Sequence, residues 1–182
     1  MIKPNFYLEA LGAQVTRGER EYIKACAESV LYPSAPTFVN IGVMWGCSVH
    51  CLRAGHPTAT IYALDIKYSW EIKYKDELNV TWLTGDSRTY VWTAPIDLLL
   101  IDGDHHYETV AADIANWVPH VPVGGLVLFH DYQPSALNMR QFPELEGVHR
   151  SVCEWQESEF DAGRNWEVFD LVDSIASFRR IT

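Results

Sequence analysis

The chain has 182 residues, 48% hydrophobic and 21% charged, and a formal net charge of -10 from 24 acidic and 14 basic side chains. That is the length and composition of a single globular domain, able to bury roughly two-thirds of the surface its unfolded form exposes. The acidic balance argues against nucleic acid and against an anionic membrane as partners. A local basic patch could still form at Arg179-Arg180 or among Lys67, Lys73 and Lys75. Cys26, Cys47, Cys51 and Cys153 contain no CxxC pair and read as reduced, packed thiols. No apolar run follows a basic start and nowhere do eighteen apolar residues occur together, so a cytoplasmic protein is expected.

In chain order, Thr16-Arg17-Gly18-Glu19 has the form of a capping box and opens a predicted helix over 17–31, with Tyr22, Ile23, Cys26 and Val30 at helical spacing. Pro33 and Pro36 end it. Short apolar runs then recur at 37–41, 60–64, 80–83, 96–101 and 126–129, alternating with helical stretches. Such alternation predicts a parallel sheet with helices on both faces. Between the fourth and fifth runs, Val110, Ile114 and Trp117 or Val118 mark one face of a crossover helix over 107–118. The last runs, 166–171 and 174–178, are too close for a crossover and must form an antiparallel hairpin. The segment 131–145 lacks periodicity, holds Pro134 and Pro143, and follows a strand's C-terminal end, where ligands bind in open α/β sheets. It is therefore either a cover for a binding site or a plain surface connection.

Chemistry-bearing residues collect at the ends of these strands. The first strand exits through Asn40-Ile41-Gly42-Val43-Met44-Trp45-Gly46-Cys47-Ser48, whose two glycines permit a tight turn and close approach of a ligand to the main chain. The spacing is neither the Gly-x-Gly-x-x-Gly of dinucleotide dehydrogenases nor a P-loop. Asp65, about twenty residues on at the tip of the neighbouring strand, is placed to accept ribose hydroxyls. In Thr84-Gly85-Asp86-Ser87, Asp86 can accept from an adenine amine and Ser87 can cap a following helix; capping alone would also explain both. The fourth strand runs into Asp102-Gly103-Asp104-His105-His106-Tyr107-Glu108, a crowd of carboxylates that needs a cation or a shared proton. The fifth ends at His130-Asp131. Adjacent parallel strands bring Asp102, His130 and Asp131 within reach of one Mg²⁺, Mn²⁺, Fe²⁺ or Zn²⁺ ion, or leave them hydrogen-bonded in a polar pocket. Trp45, Tyr68, Trp70 and Tyr132 are candidates to stack on adenine or on an acceptor, or simply fill core space.

The stretch Ile101-Asp102-Gly103-Asp104-His105-His106-Tyr107-Glu108, followed by Asp113, Trp117, Gly124-Gly125 and His130-Asp131, resembles the class I S-adenosylmethionine-dependent methyltransferases. Within them it is similar to a branch of small-molecule O-methyltransferases that includes the macrocin, mycinamicin and cephalosporin-cluster types. The resemblance runs from Thr37 to about Tyr132. It implies a single domain over 1–182, with an N-terminal helical segment, 1–35, before a core, 36–182. That core would be an α/β, Rossmann-like, doubly wound and mostly parallel seven-stranded sheet with an antiparallel C-terminal hairpin strand. S-adenosyl-L-methionine would contact Asn40, Gly42, Val43, Trp45, Gly46, Ser48, Asp65, Ile66, Asp86, Ser87 and Asp102. Gly42, Gly46 and Ser48 would face its methionine and ribose, Asp65 the ribose and Asp86 the adenine. Asp102 and Asp131 would hold a metal, and His105 would be general base beside Asp102. Asn40 stands where an acid is usual, and His130 where metal-dependent members often carry a carboxylate. The implied acceptor is a small molecule, with a homodimer allowed. A metal-dependent hydrolase built on Asp102, His105, His130 and Asp131, and a catalytically silent cofactor-binding protein, are the alternatives.

Overall fold

The structure is a computed structural model and describes residues 15–67, 78–133 and 136–182. Tyr68, Trp70, Lys73 and Lys75 lie outside the described residues, as do the first fourteen. The strands are β1 (Thr37–Ile41), β2 (Thr60–Asp65), β3 (Val80–Thr84), β4 (Leu98–Ile101), β5 (Leu126–Phe129), β6 (Trp166–Val172) and β7 (Ile175–Arg180). They form one seven-stranded sheet in the order β3-β2-β1-β4-β5-β7-β6. β1 to β5 are parallel, and β7 lies antiparallel between β5 and β6. This is the expected doubly wound, mostly parallel sheet with its antiparallel C-terminal hairpin.

Strand alternation sends side chains to two cores. Phe38, Leu98, Leu100, Leu126 and Leu128 pack with helices α1 (Arg17–Ser29) and α2 (Cys47–Gly55) on one face. Val39, Ile41, Leu99, Ile101, Val127 and Phe129 pack with α3 (Tyr107–Trp117) and α5 (Glu146–Asp161) on the other. The central strands β4 and β5 are buried along their whole length, which explains their unbroken apolar runs. α4 (Ala136–Gln141) is a short helix after β5.

The predicted capping box is formed: Thr16 Oγ1 accepts from Glu19 N at 3.1 Å, and Glu19 Oε2 accepts from Thr16 N at 2.7 Å. α1 stops at Ser29, two residues short of the predicted end, because Val30 is already extended. β4 begins at Leu98 instead of residue 96. Ile96 N is drawn to His120 O, and the Asp97 carboxylate accepts from Thr37 N at 2.8 Å, which clamps the strand entry. α3 ends at Trp117, and Val118–His120 tighten into a 3₁₀ turn around Pro119. In the C-terminal hairpin Ser174 belongs to the turn, because Asp173 adopts φ +51° and the ladder closes at Val172 and Ile175.

One expectation fails, and helices that the sequence did not announce appear. No helix follows Ser87, since 85–97 runs as turns and irregular chain, so Ser87 is not a helix cap. The segment 131–145 is not structureless, holding α4 and a 3₁₀ turn, Pro143–Leu145. α5 was not read from the sequence at all, although its buried Val148, Val152 and Trp155 recur at helical spacing. Arg179 and Arg180 make no basic patch: Arg179 lies over the Phe169 ring and Arg180 Nη1 donates to Val121 O. All four cysteines are free thiols. Among the described residues no helix is long and apolar enough to cross a membrane.

Candidate functional site at the strand tips

The chain leaves β1 toward β2 and β3, then returns to place β4 on β1's other side. Between β1 and β4 the winding direction reverses, and the diverging loops leave a crevice at the C-terminal ends. A cleft of about 720 Å³ opens there. Gly42, Val43, Trp45, Ser48, Asp65, Ile66, Asp86, Ser87, Asp102, His105, His130 and Asp131 all line it.

The turn after β1 is built by its neighbours. Gly42 has φ +76°, and a Cβ there would lie 1.9 Å from Asp102 O. Only glycine lets the β1 exit pass so close to the β4 exit. Asp65 Oδ2 accepts from Val43 N at 2.7 Å and Met44 N at 3.0 Å, and Oδ1 accepts from Lys67 N at 3.0 Å. The carboxylate of β2 therefore shapes the very turn it faces. Asn40 and Gly46 do not line the cleft. Asn40 is fully buried and its Nδ2 donates to Gly42 O at 2.6 Å, so it holds the turn from beneath. Gly46 takes φ +81° as the N-cap of α2.

Asp86 is already engaged. Arg88 Nε donates to Asp86 Oδ1 at 2.9 Å and Nη2 to Oδ2 at 2.6 Å. The turn they occupy is fastened to α3, where Asn116 Nδ2 and Trp117 Nε1 donate to Ser87 O at 2.8 and 2.9 Å. Of the aromatic candidates, Trp45 lines the cleft, whereas Tyr132 does not and packs against His149 at 4.7 Å between ring centroids.

Histidines resolve the crowd of acids at the β4 exit. Asp104 accepts from His106 Nδ1 at 2.7 Å and from Thr109 Oγ1 at 2.8 Å, at the start of α3. His130 Nδ1 lies 3.0 Å from Asp102 Oδ1 and 3.1 Å from Asp131 Oδ2, and Nε2 lies 3.4 Å from Glu19 Oε2. These are ion-pair distances without hydrogen-bond alignment. Burial alone would depress the His130 pKa, but the charge of Asp102, helped by Asp131 and Glu19, raises it well above the ordinary value. Burial likewise works against the ionised Asp131, yet His105 and His130 hold that carboxyl well below the usual range. His105 Nε2 is 3.2 Å from Asp131 Oδ2, and its pKa is raised because Asp131 and Asp102 outweigh burial.

One ligand atom each from Asp102, His105 and Asp131 falls within 4.8 Å of the others. Two carboxylates and an imidazole suit a divalent cation, and His105 Nε2 is shielded from solvent with no aligned partner, so these residues fit such an ion. His130, expected among the ligands, is not in that converging set. Phe129 points to the α3 and α5 face, so alternation turns His130 to the α1 face, where it is 5% exposed and meets Glu19.

Glu19 and Ser174 are the site residues the sequence did not reveal. Glu19 Oε1 accepts from Ser174 N and Oγ, and Ser174 Oγ accepts from Asp131 N at 3.3 Å. The capping box already accounted for Glu19, and nothing in the sequence places α1 beside the β6–β7 turn. Gly147 was equally silent: a Cβ there would meet His105 O at 2.4 Å, so α5 seats directly on the loop carrying His105. Of the segment 131–145, Asn138, Phe142, Glu144 and Leu145 line the cleft beside Asp104 and His105.

Fold and strand-tip site define a class, the nucleotide-cofactor α/β enzymes whose ligand sits at the reversal of strand order. The chain belongs to the methyltransferase-domain family, whose model matches residues 39–132. Among solved structures, it is similar to the MycE methyltransferase of the mycinamycin biosynthetic pathway, determined in complex with Mg, SAH and mycinamycin VI. That match has 21% identity and a TM-score of 0.65, covering 90% of this chain and 49% of that one. An SAH-bound O-methyltransferase from Bacillus cereus matches with 18% identity and a TM-score of 0.69 over 98% of this chain and 93% of that one. An uncharacterised protein of Sinorhizobium fredii shares 50% identity over 36 residues, 20% of this chain and 4% of that protein. The chain thus spans about half the length of MycE and a small part of that curated relative.

Proposed function

We propose that this protein uses S-adenosyl-L-methionine to methylate a hydroxyl of a small molecule, with a divalent cation, Mg²⁺ for instance, assisting. The observation that carries the reading is the convergence of the Gly42 turn, Asp65 and Asp102 on one cleft, which His105 and Asp131 also line. S-adenosylmethionine supplies a methyl group on a cationic sulfonium, and a cleft lined by Asp65, Asp86, Asp102 and Asp131 suits positive charge. The Gly42–Met44 backbone would face its methionine and ribose, Asp65 the ribose hydroxyls, and Asp86 and Ser87 the adenine. Neighbours solved with SAH support this assignment.

Methyl transfer is an in-line displacement, so the residues must align the acceptor oxygen and remove its proton. His105 would take that proton, its basicity raised by Asp131 at 3.2 Å. Asp102 and Asp131 would hold a divalent cation, with His105 Nε2 near enough to be a third ligand, and such a cation would acidify the acceptor hydroxyl. Residues 138–145 would cover the acceptor. The family assignment favours transfer over a metal-dependent hydrolase or a silent cofactor-binding protein.

The test is calorimetric titration with SAH and with Mg²⁺, separately and together, with and without chelator. Saturable SAH binding is expected; no binding at millimolar SAH would overturn the proposal. A His105→Ala protein that still binds Mg²⁺ keeps His105 as base, whereas loss of Mg²⁺ binding makes it a ligand.

A further inference from the structure

One acid beside the cleft is used by nothing described so far. Asp113, on α3, is 1% exposed, and neither carboxylate oxygen has an aligned hydrogen-bond partner, although the nearby Ser87 side chain eases its ionisation. A buried carboxylate without a partner is strongly disfavoured when ionised. Burial pushes this one up to about 6. Facing it are Ser87, Asp86 and Arg88 from the turn after β3, and Asp104 from the turn after β4. Arg150 and Glu154 of α5, the helix packed on α3, are engaged with each other and with Tyr107.

Asp113 shares a face of α3 with Asn116 and Trp117, three and four residues on. Those two side chains fasten Ser87 O, and Asn116 also holds Tyr90 O at 2.9 Å. The turn that carries Arg88 is thereby fixed to the helix face that carries the unpartnered acid. Arg88 is the cation acting on Asp113, but its guanidinium is chelated by Asp86. That pair is partly exposed, with side chains 49% and 31% accessible, so giving it up costs little.

We propose that Asp86 and Asp113 share Arg88, and that adenine entering the cleft hands it from the first to the second. The adenine amine takes Asp86, Arg88 moves to Asp113, and the buried carboxylate gains its counter-charge only in the occupied state. This rests on the cleft being the S-adenosylmethionine site. The exchange lowers the Asp113 pKa on binding. Binding therefore expels a proton below about pH 6, and SAH affinity rises with pH through that region. His105 and His130 titrate in the same cleft, so variants are needed to isolate the effect.

The experiment is SAH calorimetry on the wild type, Asp113→Asn, Arg88→Met and the double variant at pH 7.5 and 5.5. Buffers of different ionisation enthalpy report proton release. At pH 7.5, Asp113→Asn should weaken SAH about tenfold when Arg88 is present and by less than about twofold in the Arg88→Met background. Equal losses in both backgrounds would overturn the exchange and leave Asp113 a packing residue. Should Asp113→Asn fail to fold, Arg88→Met, altered at a half-exposed side chain, decides alone. Wild-type affinity should fall about fourfold more than that of Arg88→Met between pH 7.5 and 5.5, and identical proton release would sink the idea. Wild type that ignores SAH removes the cofactor reading and the exchange together, whereas binding without coupling removes the exchange alone.

Discussion

Replacing Glu19 by glutamine removes one charge from the buried chain of acids and imidazoles while keeping the side-chain volume. Glu19 is 2% exposed, and burial alone would raise its pKa. His130, Ser174 and Thr16 overcome that and hold it at about 2 against 4.5 in a free side chain. Because the folded value lies below the unfolded one, the stabilisation is complete above about pH 4.5 and is lost as pH falls toward 2. The linkage is worth about 3 kcal/mol at pH 7 and about 1 kcal/mol at pH 3. In a protein of this length, 3 kcal/mol lowers Tm by roughly 6–12 °C. Urea unfolding of both proteins at pH 7 and pH 3 measures it. A difference below 1 kcal/mol at pH 7, or one that does not shrink at pH 3, would refute the claim that Glu19 acts as a charged partner of His130.

His105→Ala should lower turnover by roughly 10²- to 10⁴-fold while SAH affinity in calorimetry stays within about threefold; equal loss of both would remove His105 from proton transfer. Gly42→Ala places a methyl 1.9 Å from Asp102 O at φ +76°, so a loss of at least about 4 kcal/mol in chemical unfolding is expected, with no SAH binding. Gly147→Ala drives a Cβ into His105 O and Tyr107 N. It should reduce turnover more than SAH affinity, since it disturbs the acceptor side and leaves the Gly42 turn intact; kinetics and calorimetry on one preparation separate the two.

Patterns local to a few residues were legible in the sequence. The unbroken apolar runs of β4 and β5 announced strands covered on both faces, and Thr16 and Glu19 announced a capping box because its partners are three residues apart. The placement of Gly42, Asp65, Asp102 and Asp131 at one edge followed from parallel strands ending together. α5 was missed although its buried Val148, Val152 and Trp155 recur at helical spacing, because the rest of its surface is polar and it follows a segment broken by Pro134 and Pro143. The turn Gly85-Asp86-Ser87 looked like a helix entry, yet its Ser87 carbonyl is bonded by Asn116 and Trp117, about thirty residues away.

What the sequence determined on its own was therefore the succession of strands, the helices α1 and α3, the capping of α1 and the collection of acids and histidines at the strand tips. Tertiary structure alone decided which of these groups meet. His130 turns inward to Glu19 because alternation along β5 continues past its last residue, and α1 happens to dock on the β6–β7 turn. Asn40 supports the Gly42 turn instead of facing a ligand because its side chain is sealed beneath that turn. Charge pairing over more than a hundred residues of separation depends on how layers stack, and no local spacing records it.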